Sequence, residues 1–184
     1  MKYLIRTVLA AVLLMPALAH AGQSVDRKME NLDFSHGNPK GLAALVRAAT
    51  EQFRDVEYAM AMGYQPGPCV SGRDGGAMGV HFANFGYVLD GLPPDVNAPE
   101  ILIYEPLRNG RYRLAGVEFL TLIDGEPTGA PDAEGHLLNY SSAPNRYGLP
   151  PHYELHVWAW KYNPDGTFAD WNPRMTCDNY VATP

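Results

Sequence analysis

The sequence predicts an α+β fold, in which one long N-terminal amphipathic helix packs on a curved antiparallel sheet or partly closed barrel. Three observations predict it. Apolar residues recur at helical spacing over residues 39–62, and four strand-like runs follow before residue 163. Two of these runs are joined by a short segment with the composition of a tight turn.

The helix has a start signal, an apolar stripe and a stop signal. Asn38 followed by Pro39 is typical of an N-cap and the first helical position. Gly63 supplies the end. The stripe between them recurs at intervals of three and four residues, as a buried helical face requires. It comprises Leu42, Leu45, Val46, Ala49, Phe53, Val56 and Met60.

The strand-like runs cover residues 77–85, 100–106, 112–123 and 153–162. Asn109-Gly110 lies between the second and third runs, and this pair accepts the positive φ that a hairpin turn needs. Residues 124–151 are rich in Gly and Pro and lack periodicity, which fits either the wall of a site or irregular surface.

The first 21 residues predict a signal peptide. Lys2 and Arg6 precede a short apolar core, and Ala19-His20-Ala21 has the small-x-small pattern of a cleavage site. The apolar run is shorter than the ~20 residues that cross a bilayer, so no membrane span is expected. Residues 22–184 are predicted to form a single α+β domain, soluble and exported to the periplasm or the extracellular space.

The charge of the chain bears on its partners. The formal net charge is −6, and an acidic chain with scattered Lys and Arg argues against nucleic acid as a partner. The only two cysteines, Cys69 and Cys177, predict one disulfide in an oxidising compartment. A pair of thiolate ligands is the alternative, although no CxxC spacing favours it.

The last strand-like run carries an unusual polar face. Alternation places His152, Glu154, His156, Trp158 and Trp160 on the side opposite its apolar residues. A strand does not need histidines merely to be soluble, so something polar is expected to meet this face. At ~3.3 Å per residue His152 and His156 are about 13 Å apart, too far to bind one ion together.

Glu118 is the clearest anomaly, because it shares one face of its run with Leu114, Gly116, Leu120 and Leu122. A carboxylate in so apolar a row is costly to desolvate unless it is paired or coordinated.

A mononuclear metal site is therefore one hypothesis. His81, Glu118 and His156, with Glu105 as a fourth ligand, resemble the two-histidine, one-carboxylate sets that bind Zn, Cu or Fe.

Two alternatives use the same residues without a metal. The first is a small-molecule pocket whose walls include Glu154, His152, Trp158 and Trp160. The second is a structural or interaction protein in which Glu118 pairs with His81 or His156 inside the sheet. The ligands are dispersed and no compact motif such as HExxH occurs, so the sequence leaves all three open.

Several segments together carry a resemblance. They are CVSG (69–72), GGAMGVHF (75–82), ILIYEP (101–106), GVEF (116–119) and ELHVWAWKYNPDGTFADWNP (154–173). In this combination the chain resembles a family of exported bacterial hypothetical proteins without an established activity. The resemblance implies export and one shared architecture. It implies no reaction and assigns no catalytic residue.

Overall fold

A computed structural model describes residues 39–72, 75–127 and 129–182. The predicted signal peptide lies outside the described residues. The described part combines short helices with a six-stranded antiparallel sheet, in agreement with the predicted α+β class. None of its helices has the length and apolar character needed to cross a membrane.

The long helix expected over residues 39–62 is wrong, because three short pieces replace it. Helix α1 is Pro39–Thr50, a 3₁₀ turn covers Glu51–Arg54, and helix α2 is Val56–Ala61. All three pieces still contribute buried residues, among them Val46, Phe53 and Ala59, which explains the continuous apolar periodicity.

Two hydrogen bonds account for the break. An uninterrupted α-helix would pair the Phe53 carbonyl with the Glu57 amide. Instead the Tyr104 hydroxyl donates to Phe53 O, and the Glu57 amide donates to the carboxylate of Asp55 at 3.0 Å. Asp55 has extended backbone angles and caps α2.

The strands are β1 (Gln65–Ser71), β2 (Ala77–Ala83), β3 (Ile101–Pro106), β4 (Tyr112–Leu122), β5 (Asp132–Ala133), β6 (His136–Leu137), β7 (Asn139–Ser141) and β8 (His152–Val157). Helix α3 is Phe85–Val88. The main sheet has the order β1-β2-β3-β4-β8-β7, and every pairing in it is antiparallel. Strands β5 and β6 form a separate small hairpin.

The barrel alternative is also wrong: the sheet is open, with β1 and β7 at its two edges. The hairpin between β3 and β4 is confirmed, since Asn109 and Gly110 have φ values of 65° and 69°. Strand β1 was not predicted, because its two prolines and glycine indicate a loop. Prolines are compatible with an edge strand, and a register shift separates Pro66 from Cys69.

The two faces of the sheet have different environments. One face carries the main core, in which strand residues pack with Leu42, Val46 and Phe53 of the helical segment. The strand residues of this face are Val80, Phe82, Leu102, Tyr104, Leu114, Val117, Phe119, Tyr153, Leu155 and Val157. Leu114 was expected on the face of Glu118, and the expectation is wrong because a register shift between Ile103 and Tyr104 brings Leu114 opposite Tyr104. The alternate residues point to the opposite face, and the candidate ligands are among them.

The predicted disulfide is confirmed. Cys69 on β1 is bonded to Cys177, with a Cα–Cα distance of 5.9 Å. The bond ties an edge strand to the C-terminal segment.

Candidate metal centre

Strand register brings the three candidate ligands together. Glu118 on β4 lies directly opposite His156 on β8, and on its other side it faces Ile101 of β3. His81 lies on β2, which is separated from β4 by β3, and it pairs with Ile103 of β3. Each residue is flanked in sequence by core residues of the other face, so all three side chains project from the same face.

A glycine helps to set this register. A Cβ at Gly116, two residues before Glu118, would collide with the carbonyl oxygen of Val157. The glycine therefore permits the close approach of β4 and β8 beside the site.

The donor atoms converge on one point. His81 Nε2 lies 3.3 Å from Glu118 Oε2, and His156 Nε2 lies 3.8 Å from the same oxygen. One donor atom from each residue lies within 4.8 Å of the other two. Ligands of one tetrahedral zinc ion, with bonds near 2.1 Å, would be about 3.4 Å apart. The group could therefore hold a metal ion after a small closing movement.

His156 is buried and lacks conventional hydrogen bonds. Its side chain is 1% exposed, and that of Glu118 is 5% exposed. Neither ring nitrogen of His156 has a hydrogen-bond partner among the residues that the structure describes. Buried ring nitrogens are normally paired. The Nε2–Glu118 distance of 3.8 Å is too long for a hydrogen bond, yet it is close to the spacing of two ligands on one ion.

Asp170 lies on the other side of the same ring. His156 Nδ1 is 3.7 Å from Asp170 Oδ1. A carboxylate behind a histidine is the usual arrangement in metal sites, where it fixes the ring and its tautomer. Sequence analysis did not identify Asp170, since nothing in its neighbourhood indicates that it reaches β8.

The electrostatics of Glu118 favour its charged form. Burial by itself raises the pKa of this carboxyl. The two neighbouring imidazoles, His156 first, outweigh burial and lower the pKa of Glu118 to about 2. The site therefore presents an anion and two imidazole nitrogens, which is a suitable donor set for a divalent cation.

His152 and Glu154 form a separate pair beside the centre. His152 Nδ1 is 2.8 Å from Pro150 O, and Nε2 is 3.3 Å from Glu154 Oε2. A carbonyl and a carboxylate only accept, so each contact needs a proton on its ring nitrogen, and the imidazolium form satisfies both. Burial lowers the pKa of His152, but the bonds to Glu154 and Pro150 outweigh it and the pKa is raised.

Glu105 is outside the centre. Its carboxylate accepts hydrogen bonds from Arg113 Nη2 at 2.7 Å and from Lys161 Nζ at 3.0 Å. The structure therefore places the expected fourth ligand in an ion-pair network of its own.

The two tryptophans lie off the cavity lining, Trp158 beside His156 with ring centroids 6.4 Å apart and Trp160 on the helix side of the sheet. Trp158 packs in a small second cluster and donates to Ala169 O. Trp160 turns to the helix side and donates to Thr50 Oγ1 at 3.0 Å. Of the four residues expected to line a pocket, the structure places Glu154 on the cavity described next, and places the two tryptophans and His152 off its lining.

A cavity of about 590 Å³ adjoins the candidate ligands. His81, Glu118, His156 and Glu154 contribute its acidic and imidazole groups. The remaining lining comes from β1, from Met78 and Ala83 of β2, from α3 and Leu89, from Ile101 of β3, from Leu120 and Leu122 of β4, and from the segment 146–150. This last segment belongs to the aperiodic region that the sequence left open between a site wall and irregular surface. The cavity gives the candidate metal centre an accessible side.

Comparison of the chain with protein-family models, curated proteins and solved structures found no match in any of the three.

Proposed function

We propose that the protein is an exported metal-binding protein that holds one divalent transition metal ion between His81, Glu118 and His156. Zinc, copper and iron are the candidate ions, because two imidazoles and a carboxylate suit all three. Export and membership of the family that the sequence resembles belong to the same proposal. The Cys69–Cys177 disulfide supports an oxidising compartment.

The observation that carries the proposal is the position of His156 Nε2. This buried nitrogen faces the Glu118 carboxylate at 3.8 Å without a hydrogen bond. An ion bound to both atoms would satisfy the nitrogen and the carboxylate at once. The Asp170 carboxylate near Nδ1 would then orient the ring and favour the tautomer with a free Nε2.

A purely structural network explains less of the geometry. The His81–Glu118 contact of 3.3 Å fits an ordinary ion pair within the sheet. His156 does not fit that explanation, because a structural role would be served by a normal hydrogen bond to one of its carboxylate neighbours.

The cavity suggests how the ion would be used. Catalytic zinc sites have three protein ligands and keep a fourth position for water or substrate. Three ligands beside a cavity match that pattern, so an ion here would be exposed to small molecules. A carrier, sensor or catalytic role is compatible with this arrangement.

Metal content tests the proposal. The full chain, expressed without a histidine tag, is stripped with a chelator and titrated with Zn²⁺, Cu²⁺ and Fe²⁺ by calorimetry. We expect one ion per chain. Loss of a residue behind a ligand costs about 10- to 100-fold in affinity, so His156→Ala should cost more than this.

The matched control is His136→Ala. His136 lies on β6, packs against Phe168 with a centroid distance of 4.5 Å, and is not part of the candidate ligand set. This variant should bind metal like the wild type. His81→Ala, at a more exposed ligand, provides a second test if His156→Ala does not fold. A wild-type protein that binds none of the three ions, or ligand variants that bind as the wild type does, would refute the proposal.

A further inference from the structure

The cavity beside the proposed metal centre is mainly apolar. Its apolar surface comes from Ile101, Leu120 and Leu122 on the sheet, Met78 on β2, and prolines of β1. A volume of about 590 Å³ falls within the range typical of small-molecule sites, about 300–1,000 Å³. An ion alone needs neither this volume nor an apolar lining.

One apolar wall of the cavity extends from the ligands along β4. Glu118, Leu120 and Leu122 alternate along one face of β4 and all line the cavity. At ~3.3 Å per residue, Leu122 lies about 13 Å from Glu118 along the strand. A ligand with its head group at the metal would therefore lay its body over Leu120 and Leu122.

Exposed apolar side chains contribute to the same cavity. Phe85 and Leu89, in and just after α3, are 56% and 69% exposed and belong to the lining. Exposed apolar surface of this kind commonly marks a binding groove. Leu149 lines the cavity from the segment 146–150 and is also exposed.

The charges of the site favour an anionic head group. A divalent ion bound by the carboxylate of Glu118 keeps an open coordination position and one positive charge, which the Asp170 carboxylate, 3.7 Å from His156, offsets. Glu154 is already paired with His152, and the guanidinium of Arg146 adds a cation to the lining. An incoming carboxylate would complete the coordination and complement this charge.

We propose that the site binds a medium-sized amphipathic organic acid, with its carboxylate on the metal ion and its apolar body in the cavity. This inference rests on the proposed metal function, because the ion supplies the contact to the head group.

A homologous series tests the inference. Acetate, butanoate, hexanoate and octanoate are titrated into the zinc-loaded protein by calorimetry. Each buried methylene is expected to strengthen binding about four-fold, so affinity should rise steeply with chain length. Equal affinity for acetate and octanoate would overturn the inference, since it would show that only the head group binds.

Two further arms test the head group. Octanoate should bind the metal-free protein at least about ten-fold more weakly, and 1-octanol should bind the zinc-loaded protein more weakly than octanoate by a similar factor. Octanoate binding that is indifferent to zinc would overturn the contact between carboxylate and ion.

A cavity-filling variant tests whether the acid occupies the cavity. Ala83 is half-buried, lines the cavity and is paired with Ile101 on the sheet. Ala83→Phe should weaken octanoate binding at least about ten-fold while zinc still binds one to one. The control is Ala44→Phe at an exposed position of α1, which should change neither.

The two proposals fail in different ways. If the wild type binds zinc but its affinity for the acids does not depend on their chain length, this inference is refuted and the proposed metal function is retained. If the wild type binds none of the three ions, both proposals are refuted.

Discussion

His156 Nδ1 lies 3.7 Å from Asp170 Oδ1, on the side of the ring away from Glu118. The imidazole is thus placed between two carboxylates that come from different parts of the chain. Glu118 is buried in the sheet, whereas the Asp170 side chain is 46% exposed and follows β8. In the proposed metal site the two carboxylates would have different parts: Glu118 would be a ligand, and Asp170 would position the histidine.

Asp170→Asn should weaken metal binding without abolishing it. Loss of the carboxylate behind a ligating histidine costs about 10- to 100-fold in metal affinity. Competition with a chelator of known affinity measures the change. The exposed Asp165 provides a matched control, and Asp165→Asn should bind as the wild type does. An unchanged affinity in Asp170→Asn would show that Asp170 does not position His156.

Glu118→Gln should alter the acid stability of the metal-free protein. In the fold, the imidazoles outweigh burial and lower the pKa of Glu118 from 4.5 to about 2. A lowered carboxyl pKa stabilises the fold above pH 4.5, and this contribution, at most about 3 kcal/mol, is lost as the pH falls towards 2. The glutamine variant lacks it at every pH. Urea unfolding from about pH 6 to 3 should show a steeper loss for the wild type than for the variant. Parallel curves would contradict the lowered pKa.

The shared face of the candidate ligands could be predicted from the sequence because it depends on alternation alone. The alternation of side chains along each strand places Glu118 and His156 on the face opposite the core, whatever the strand order. The positions of Glu105 and Trp160 depend also on contacts with residues that are distant in sequence. Glu105 is held by Arg113 and Lys161, and only the folded structure shows which basic groups reach it.

A short irregularity explains Trp160. Strand β8 ends at Val157, and the amides of Trp160 and Lys161 both donate to Ala115 O. This irregular pairing turns Trp160 to the helix side, where it meets Thr50. A slip of one residue reverses every side chain beyond it, and composition does not reveal where such a slip occurs.

The prediction of one long helix was wrong for a related reason. Its interruption depends on a hydrogen bond from Tyr104, which is 51 residues away in sequence from Phe53. Local periodicity describes which residues are buried; it was right for Leu42, Val46 and Phe53 and wrong for Met60, which is 39% exposed. It does not predict which backbone carbonyl will accept a hydrogen bond from a distant hydroxyl.

Glu105→Gln should separate stability from metal binding. The carboxylate is buried and bonded by Lys161 at 3.0 Å, and removing its charge leaves that ammonium group without its partner. We expect the free energy of unfolding to fall by about 2–3 kcal/mol, with metal affinity unchanged. Glu126→Gln, at an exposed position, is the control for both measurements. A loss of metal affinity in Glu105→Gln would return Glu105 to the ligand set.

Glu100→Gln should have the opposite pH signature to Glu118→Gln. Glu100 is buried just before β3 and accepts a hydrogen bond from the Leu120 amide at 3.2 Å. Burial raises the pKa of Glu100 from 4.5 to about 7. The folded state therefore holds this proton more tightly than the unfolded state. The free energy of unfolding of the wild type should fall by about 3 kcal/mol as the pH rises from about 4.5 to about 7.

The glutamine cannot ionise, and its carbonyl can still accept from the Leu120 amide. We expect Glu100→Gln to match the wild type near about pH 4 and to be the more stable protein at about pH 8. Chemical unfolding at both values measures this difference. If the difference between the two proteins is the same at both pH values, burial does not raise the pKa of Glu100.

Removal of the disulfide should destabilise the whole chain. Cys69 and Cys177 are 108 residues apart, and closing a loop of that length lowers the entropy of the unfolded chain by an amount worth about 4–5 kcal/mol. The double variant Cys69→Ser/Cys177→Ser should lose stability of this order in urea unfolding.

A reductant distinguishes the cross-link from the side chains. It should lower the stability of the wild type towards that of the double variant, and it should leave the double variant unchanged. Because Cys69 lies on β1, which lines the cavity, hydrogen exchange of the β1 amides should accelerate when the bond is lost. A double variant as stable as the oxidised wild type would show that β1 is held by its pairing with β2 alone.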